Sequence, residues 1–176
     1  MDAITALALS VQNPFISAIG YLLNQDLLYG AIILGMVIAG EWKNDKRLKI
    51  FLSLAIALAL ALAVKQVVAE PRPCAGANWC PLDYAFPSTH AVLAFVLVAS
   101  FLKKKSFPFF LAFALFVSFT RVNIGVHVFA DILGAIPIAL LAYYATEITW
   151  KWVEMNGWLK KLGITKQNSK GAKYQV

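Results

Sequence analysis

The sequence predicts an all-α fold, a polytopic bundle of about five transmembrane helices, and three observations point there. Of 176 residues, 60% are hydrophobic and only 14% are charged, too apolar a balance for a soluble chain of this size. The apolar residues fall in runs that approach the roughly 20 residues a helix needs to cross a bilayer. The basic residues gather between and after those runs. No repeat or extra domain is visible, so 1–176 reads as a single membrane-embedded domain, with 1–13 as an interfacial start and 150–176 as a basic cytoplasmic tail. The opening MDAITALALSVQNPF lacks the basic start and small-residue cleavage site of a signal peptide and is expected to remain in the mature chain.

Five stretches supply the expected helices. The first runs from Pro14 to Gly40 and is interrupted by Asn24, Gln25 and Asp26; the second, Ile50 to Val68, is unbroken and rich in Ala and Leu. The third runs from Ser88 to Leu102 and the fourth from Phe107 to Phe119, with Pro108 in its permissive first turn. Both are short, and reach crossing length only if polar residues at one end are buried in protein. The fifth runs from His127 to Ile148, with a kink expected at Pro137.

The net charge of +7 does not indicate nucleic acid, because the basic residues are neither interleaved with exposed aromatics nor arrayed on a soluble helix face. They follow the loops instead: Lys43, Lys46, Arg47 and Lys49; then Lys103, Lys104 and Lys105; then Lys151, Lys160, Lys161, Lys166, Lys170 and Lys173. With five crossings all three regions share one face, which the excess of Lys and Arg marks as cytoplasmic. Cys74 and Cys80 lie in a polar loop on the other face without the partners of a structural zinc site, and either a disulfide or two thiols fits them.

Three cations, Lys65, Arg72 and Arg121, are not explained by that topology. Singly, each could be a snorkelling side chain at a helix end. Together they share the outer face with His90, His127 and Asp131, and such convergence from distant sequence positions is what a reactive site requires. His127 and Asp131 are i,i+4 neighbours on a helix, so the carboxylate can take the proton of one ring nitrogen and leave the other free to attack. Ser88 stands where a helix opens; it reads either as an ordinary N-cap or as part of an anion site built from free amides.

These residues fall in the order KQVVAEPRP (Lys65 to Pro73), PSTH (Pro87 to His90) and TRVNIGVHVFAD (Thr120 to Asp131), which resembles the motif set of the type 2 phosphatidic acid phosphatase (PAP2) superfamily. The resemblance is detailed from Lys65 to Asp131 and elsewhere concerns only helix number and placement. Thr120 stands where the family commonly has Ser, and Thr89 where Gly is frequent. The first keeps a hydroxyl, while the second sets a branched side chain beside the phosphate pocket.

The resemblance implies a lipid phosphatase in which His127 attacks phosphorus to form a phosphohistidine, Asp131 orients it, and His90 protonates the leaving oxygen and then helps activate water. It assigns the phosphate oxygens to Lys65, Arg72, Ser88, Thr89 and Arg121, and it implies neither cofactor nor metal. The implied partners are a lipid phosphate or diphosphate and the surrounding membrane lipids, with no nucleic acid. Small size and an outward site favour polyprenyl (undecaprenyl) diphosphate, with phosphatidic acid or phosphatidylglycerol phosphate as the alternative lipid. A non-catalytic transporter or scaffold for anionic lipid is the alternative of another class; it leaves the paired imidazole and carboxylate without a purpose. The expected place is the cell membrane, with the site on the extracytoplasmic side and the carboxyl terminus in the cytoplasm.

Overall fold

The computed structural model describes residues 2–11 and 13–156. Among them are α1 (Ala3–Ser10), α2 (Pro14–Leu23), α3 (Asp26–Gly40), α4 (Asn44–Val68), α5 (Thr89–Phe101), α6 (Phe107–Asn123) and α7 (Phe129–Met155). The lysines from Lys160 onward, and the basic tail they define, lie outside the described residues.

The all-α expectation holds, but the expectation of about five crossing helices does not. Only α4 and α7, of 25 and 27 residues, are long and apolar enough to cross a bilayer, with a third span if α1 and α2, bent by 112°, are counted as one broken segment. The physical reason is length. At about 1.5 Å per residue, the 13 residues of α5 reach about 20 Å, short of the roughly 30 Å hydrocarbon core. The 15 residues of α3 and the 17 of α6 also fall below the length of the two long helices. The stretch from Pro14 to Gly40 fails for a second reason: it is two helices, broken at Asn24 and Gln25. A window of hydropathy merges them because the break is only two residues wide.

The long helices bury small residues and turn large ones outward, the pattern expected where lipid rather than water surrounds a bundle. On α4, Ser53, Ala57, Ala61 and Lys65 recur at every fourth position and are buried, while Leu58 and Leu62 are exposed. On α7 the buried row is Asp131, Ala135, Ala139, Ala142 and Thr146. The helix continues through Pro137. Enclosed by α4, α6 and α7, α5 contributes the centre of the core with Ala91, Val92, Val96 and Leu97, all fully buried.

α4 and α7 run antiparallel. Lys49 near the start of α4 pairs with Glu147 late in α7 at 2.6 Å, while Lys65 closes α4 at the end where Asp131 opens α7. The bundle therefore has a basic end, holding Lys46, Lys49, Lys103 and Lys104, and a site end, where α5 and α7 begin and α4 and α6 finish.

α1 binds to the site end. Asp2 caps it by accepting the Thr5 amide at 2.8 Å, and Thr5 Oγ1 accepts the Phe129 amide at 2.9 Å, satisfying one donor in the first turn of α7. The Asn123 side chain donates to the carbonyls of Ala8 and Val11, both at 2.9 Å.

One close approach fixes the segment between α4 and α5 against α7. A Cβ on Gly134 would lie 2.2 Å from Phe86 Cε2, a distance no real contact tolerates, so glycine is what lets the Phe86 ring rest there. Two residues on, the Ser88 amide donates to the Asp131 carbonyl at 3.2 Å. Gly134→Ala is expected to cost about 1–3 kcal/mol through overpacking and to lower turnover by moving Ser88. Thermal unfolding and turnover measured on the same sample check both effects, and full activity would detach Phe86 from the site's alignment.

Candidate active site

At the mouth of α7, His127 is fully buried and its Nδ1 lies 2.9 Å from Asp131 Oδ2. The same carboxylate oxygen accepts the Val128 amide at 3.0 Å, which anchors it. The other ring nitrogen, Nε2, is 3.0 Å from Arg72 Nη1. A guanidinium can only donate, so Nε2 must present its lone pair and the proton must sit on Nδ1, facing the carboxylate. Burial, reinforced by the charges of Arg72 and Arg121, also pushes the His127 imidazole well below its ordinary value of 6.5. Both observations favour the neutral ring with its lone pair on Nε2.

Arg72 is held from several sides. Its Nη1 also donates to the Val126 carbonyl at 3.0 Å, and its Nη2 meets Asp83 Oδ1 at 2.6 Å. Asp83 Oδ2 meets Lys65 Nζ at 3.0 Å, and Lys65 donates further to the carbonyls of Tyr84 and Ala85. One carboxylate late in the loop therefore clamps two cations from its beginning, Lys65 in the last turn of α4 and Arg72 just beyond it. Cys74 and Cys80 are joined as a disulfide, with Cα atoms 5.6 Å apart, in that same loop.

A cavity of about 610 Å³ opens beside this network, with Asn24, Asp26, Arg72, Asp83, Thr89, His90 and Arg121 in its wall. Tyr29 orders one side by donating to the His90 carbonyl at 2.8 Å, with its ring centroid 4.3 Å from that of His90. Arg121 donates from Nη2 to Asn24 Oδ1 at 2.6 Å. Its Nε and Nη1 are buried without a partner, as are Ser88 Oγ and His90 Nε2. Orphaned buried polar atoms are rare because each costs about 1–3 kcal/mol. Three such atoms, on Arg121 and His90, belong to residues of the cavity wall and suit a ligand rich in oxygen.

Ser88 is the N-cap residue of α5, but its side chain makes no capping hydrogen bond. The hydroxyl is left for another partner. Lys65, Ser88, His127 and Asp131 lie behind the cavity wall, whereas Arg72, Thr89, His90 and Arg121 form part of it. Every residue singled out in the sequence is thus at the site end. Asn24, Asp26, Tyr29 and Asp83 were not singled out for it. The Asn24–Asp26 triplet signalled itself by interrupting an apolar run; Tyr29 and Asp83 gave no comparable signal. Among the described residues, no group of three or more His, Cys, Asp or Glu side chains is gathered as a metal-ligand set.

Asp83 yields a prediction with a pH signature. Burial at the mouth works against its charge, but hydrogen bonds from Arg72 and Lys65 outweigh that and hold the carboxyl below its ordinary value of 3.8. A carboxyl lowered by folding stabilises the fold above its unfolded value and loses that contribution as pH falls through the folded one. Asp83→Asn is therefore expected to lower stability by a constant amount through the neutral range, the difference vanishing only in strong acid, and to weaken turnover by freeing Lys65 and Arg72. Unfolding midpoints of both proteins across pH measure this. A gap that closes near neutrality would contradict the clamp.

The fold and the sequence match known proteins. The model of the PAP2 superfamily matches residues 46–158. The chain belongs to the PAP2 superfamily and so falls in the class of membrane lipid phosphatases. Human (Homo sapiens) sphingosine-1-phosphate phosphatase 2 is 30% identical over 82 residues, a match covering 41% of this chain and 21% of the human protein, so the chain spans about a fifth of that relative. The crystal structure of Aquifex aeolicus LpxE superposes with a TM-score of 0.66 at 17% identity, covering 81% of this chain and 92% of that one. That of a transmembrane PAP2 type phosphatidylglycerolphosphate phosphatase from Bacillus subtilis superposes with a TM-score of 0.59 at 21% identity, covering 86% and 84%. At these identities the two structures establish likeness of fold.

Proposed function

We propose that this chain hydrolyses a lipid phosphate monoester, of the phosphatidylglycerol phosphate or phosphatidic acid type, through a phosphohistidine on His127. The observation that carries the reading is His127 itself, with Nδ1 committed to Asp131 and a lone pair on Nε2. When phosphate enters, Arg72 turns its N–H from Nε2 to a phosphate oxygen. Nε2 attacks phosphorus, the bond to the lipid oxygen breaks, and that oxygen takes, through His90, the proton that the phosphate monoanion brings into the site. Water then attacks phosphorus and breaks its bond to Nε2, leaving a proton on His90 and the lone pair on His127. Lys65, Arg72, Arg121, Ser88 and the free amides at the start of α5, beside Thr89, hold the nonbridging oxygens as charge shifts among them.

Two similar proteins carry names of lipid phosphate monoester phosphatases, the human and Bacillus subtilis ones, and neither they nor the Aquifex aeolicus protein is named for polyprenyl diphosphate. That moves the polyprenyl expectation to second place. A monoester also makes the greater demand on an acid, since its leaving group is an alkoxide. Phosphate release with a chelator present tests the reading: kcat/KM should be higher for the two glycerolipids than for polyprenyl diphosphate, and His90→Asn should slow the monoesters more. Faster hydrolysis of the diphosphate would reverse the order, and no release at all would favour a carrier or scaffold of anionic lipid.

The proposed orientation puts the basic end in the cytoplasm and the cavity outside. An impermeant thiol reagent on intact cells should label a cysteine introduced at the exposed Leu82. Protection there, with labelling at the basic end, would invert the chain.

A further inference from the structure

We propose that the basic end of the bundle holds a second lipid site, which binds an anionic phospholipid as a bound companion and not as substrate. Two cavities meet there. One, of about 370 Å³, is walled by Lys46, Lys49, Lys103, Lys104 and Ser100. The other, of about 240 Å³, is an apolar trough between α5 and α7 lined by Phe95, Val98, Ile136 and Leu140. They share Ala99, Leu102, Tyr143 and Tyr144, so a cationic head compartment opens directly into an apolar one.

The charges in the head compartment are not self-neutralising. Glu147 pairs with Lys49 and the buried Glu41 pairs with Lys104. Lys46 and Lys103 have no carboxylate at ion-pair distance among the described residues, so two positive charges remain. Ser100 Oγ is buried in the same wall without a hydrogen-bond partner, although a helical serine ordinarily has its own i−4 carbonyl within reach. A phosphate ester at that position meets two ammonium groups and a hydroxyl.

The trough decides between a free anion and a lipid. An inorganic anion would account for the lysines alone and would make no use of the apolar trough that opens from them between α5 and α7. An acyl chain covers them while its head group stays with the lysines. Basic pockets between membrane helices at the cytoplasmic side recognise anionic head groups in this way. The site is made of residues at the end of the bundle opposite His127, and it stands whether or not the proposed reaction does.

Photolabelling of the full chain tests it. Nanodiscs of phosphatidylcholine carry either phosphatidylglycerol or phosphatidylcholine with a diazirine in the acyl chain, and labelled peptides are mapped. The expected result is several-fold heavier labelling by the phosphatidylglycerol probe in peptides bearing Phe95 and Leu140, undisturbed by added inorganic phosphate. Lys46→Gln with Lys103→Gln should remove that preference, and Leu140→Trp, which fills the trough with all lysines kept, should reduce the label as well. Equal labelling by the two probes in the wild-type protein overturns the site without recourse to any variant. So does displacement by inorganic phosphate, or label confined to peptides bearing Leu58 and Leu62 at the substrate cavity.

Discussion

His127→Ala is expected to lower turnover by at least about 10³-fold while leaving the fold intact, because it removes the nucleophile and not a structural contact of comparable weight. The ring's partners define what else should happen. Asp131 Oδ1 is buried without a partner even in the wild-type protein, and loss of the ring would leave Oδ2 with only the Val128 amide. The Val128 amide still anchors the carboxylate, and the fold is expected to survive at modest cost. Asp131→Asn is the informative companion. An amide carries no charge to stabilise the ring as it becomes positive and can turn its NH2 toward Nδ1, so the tautomer is less firmly selected and turnover should fall by about 10²- to 10⁴-fold with binding retained. Single-turnover rates and phosphate-analogue binding on the two variants separate a lost nucleophile from a misdirected one. Undiminished turnover in folded His127→Ala protein would remove His127 from the reaction.

Arg121→Met has the second largest expected effect, and its sign differs between activity and stability. Arg121 is 1% exposed, its one side-chain hydrogen-bond partner among the described residues being the neutral Asn24 at 2.6 Å, and two of its nitrogens are unsatisfied. Burying such a charge is costly, and replacing it with an apolar side chain of similar length is often neutral or stabilising. Where phosphate is held, the same charge stabilises the transition state, so kcat/KM should drop by about 10²- to 10³-fold. The variant is therefore expected to be as stable as the wild type or more so, yet nearly inactive, the pattern of a residue retained for its ligand at the expense of the fold. Parallel unfolding and kinetic measurements check it. A variant that is destabilised and still active would mean that Arg121 serves the bundle instead.

Much of this site was legible because local spacing carried it. The four-residue step from His127 to Asp131 predicts a contact along a helix face; the two side chains do meet, but His127 precedes α7, whose N-cap is Val128, so the contact is made across the helix cap. Ser88 at a helix start was open to two readings, and only the fold shows that its hydroxyl performs no capping. Asp83 was illegible for a physical reason: its partners, Lys65 and Arg72, are brought to it by the return of the chain from α4 to α5, and no periodicity encodes that. Asn24 was visible as an interruption, but its use by Arg121, 97 residues away, was not. The number of crossings was misjudged because hydropathy measures composition and not length. Residues that are apolar enough for lipid also fill α5, which is 13 residues long and enclosed by other helices.

In the proposed reaction the phosphoryl group resides on His127 between attack and hydrolysis. Rapid quench of wild-type protein with a lipid phosphate labelled in its terminal phosphate, held alkaline to preserve phosphohistidine, measures this directly. The account predicts label on the peptide containing His127, formed and discharged at rates consistent with turnover and absent from His127→Ala. Label on His90 instead, or label that persists in His127→Ala, would contradict it.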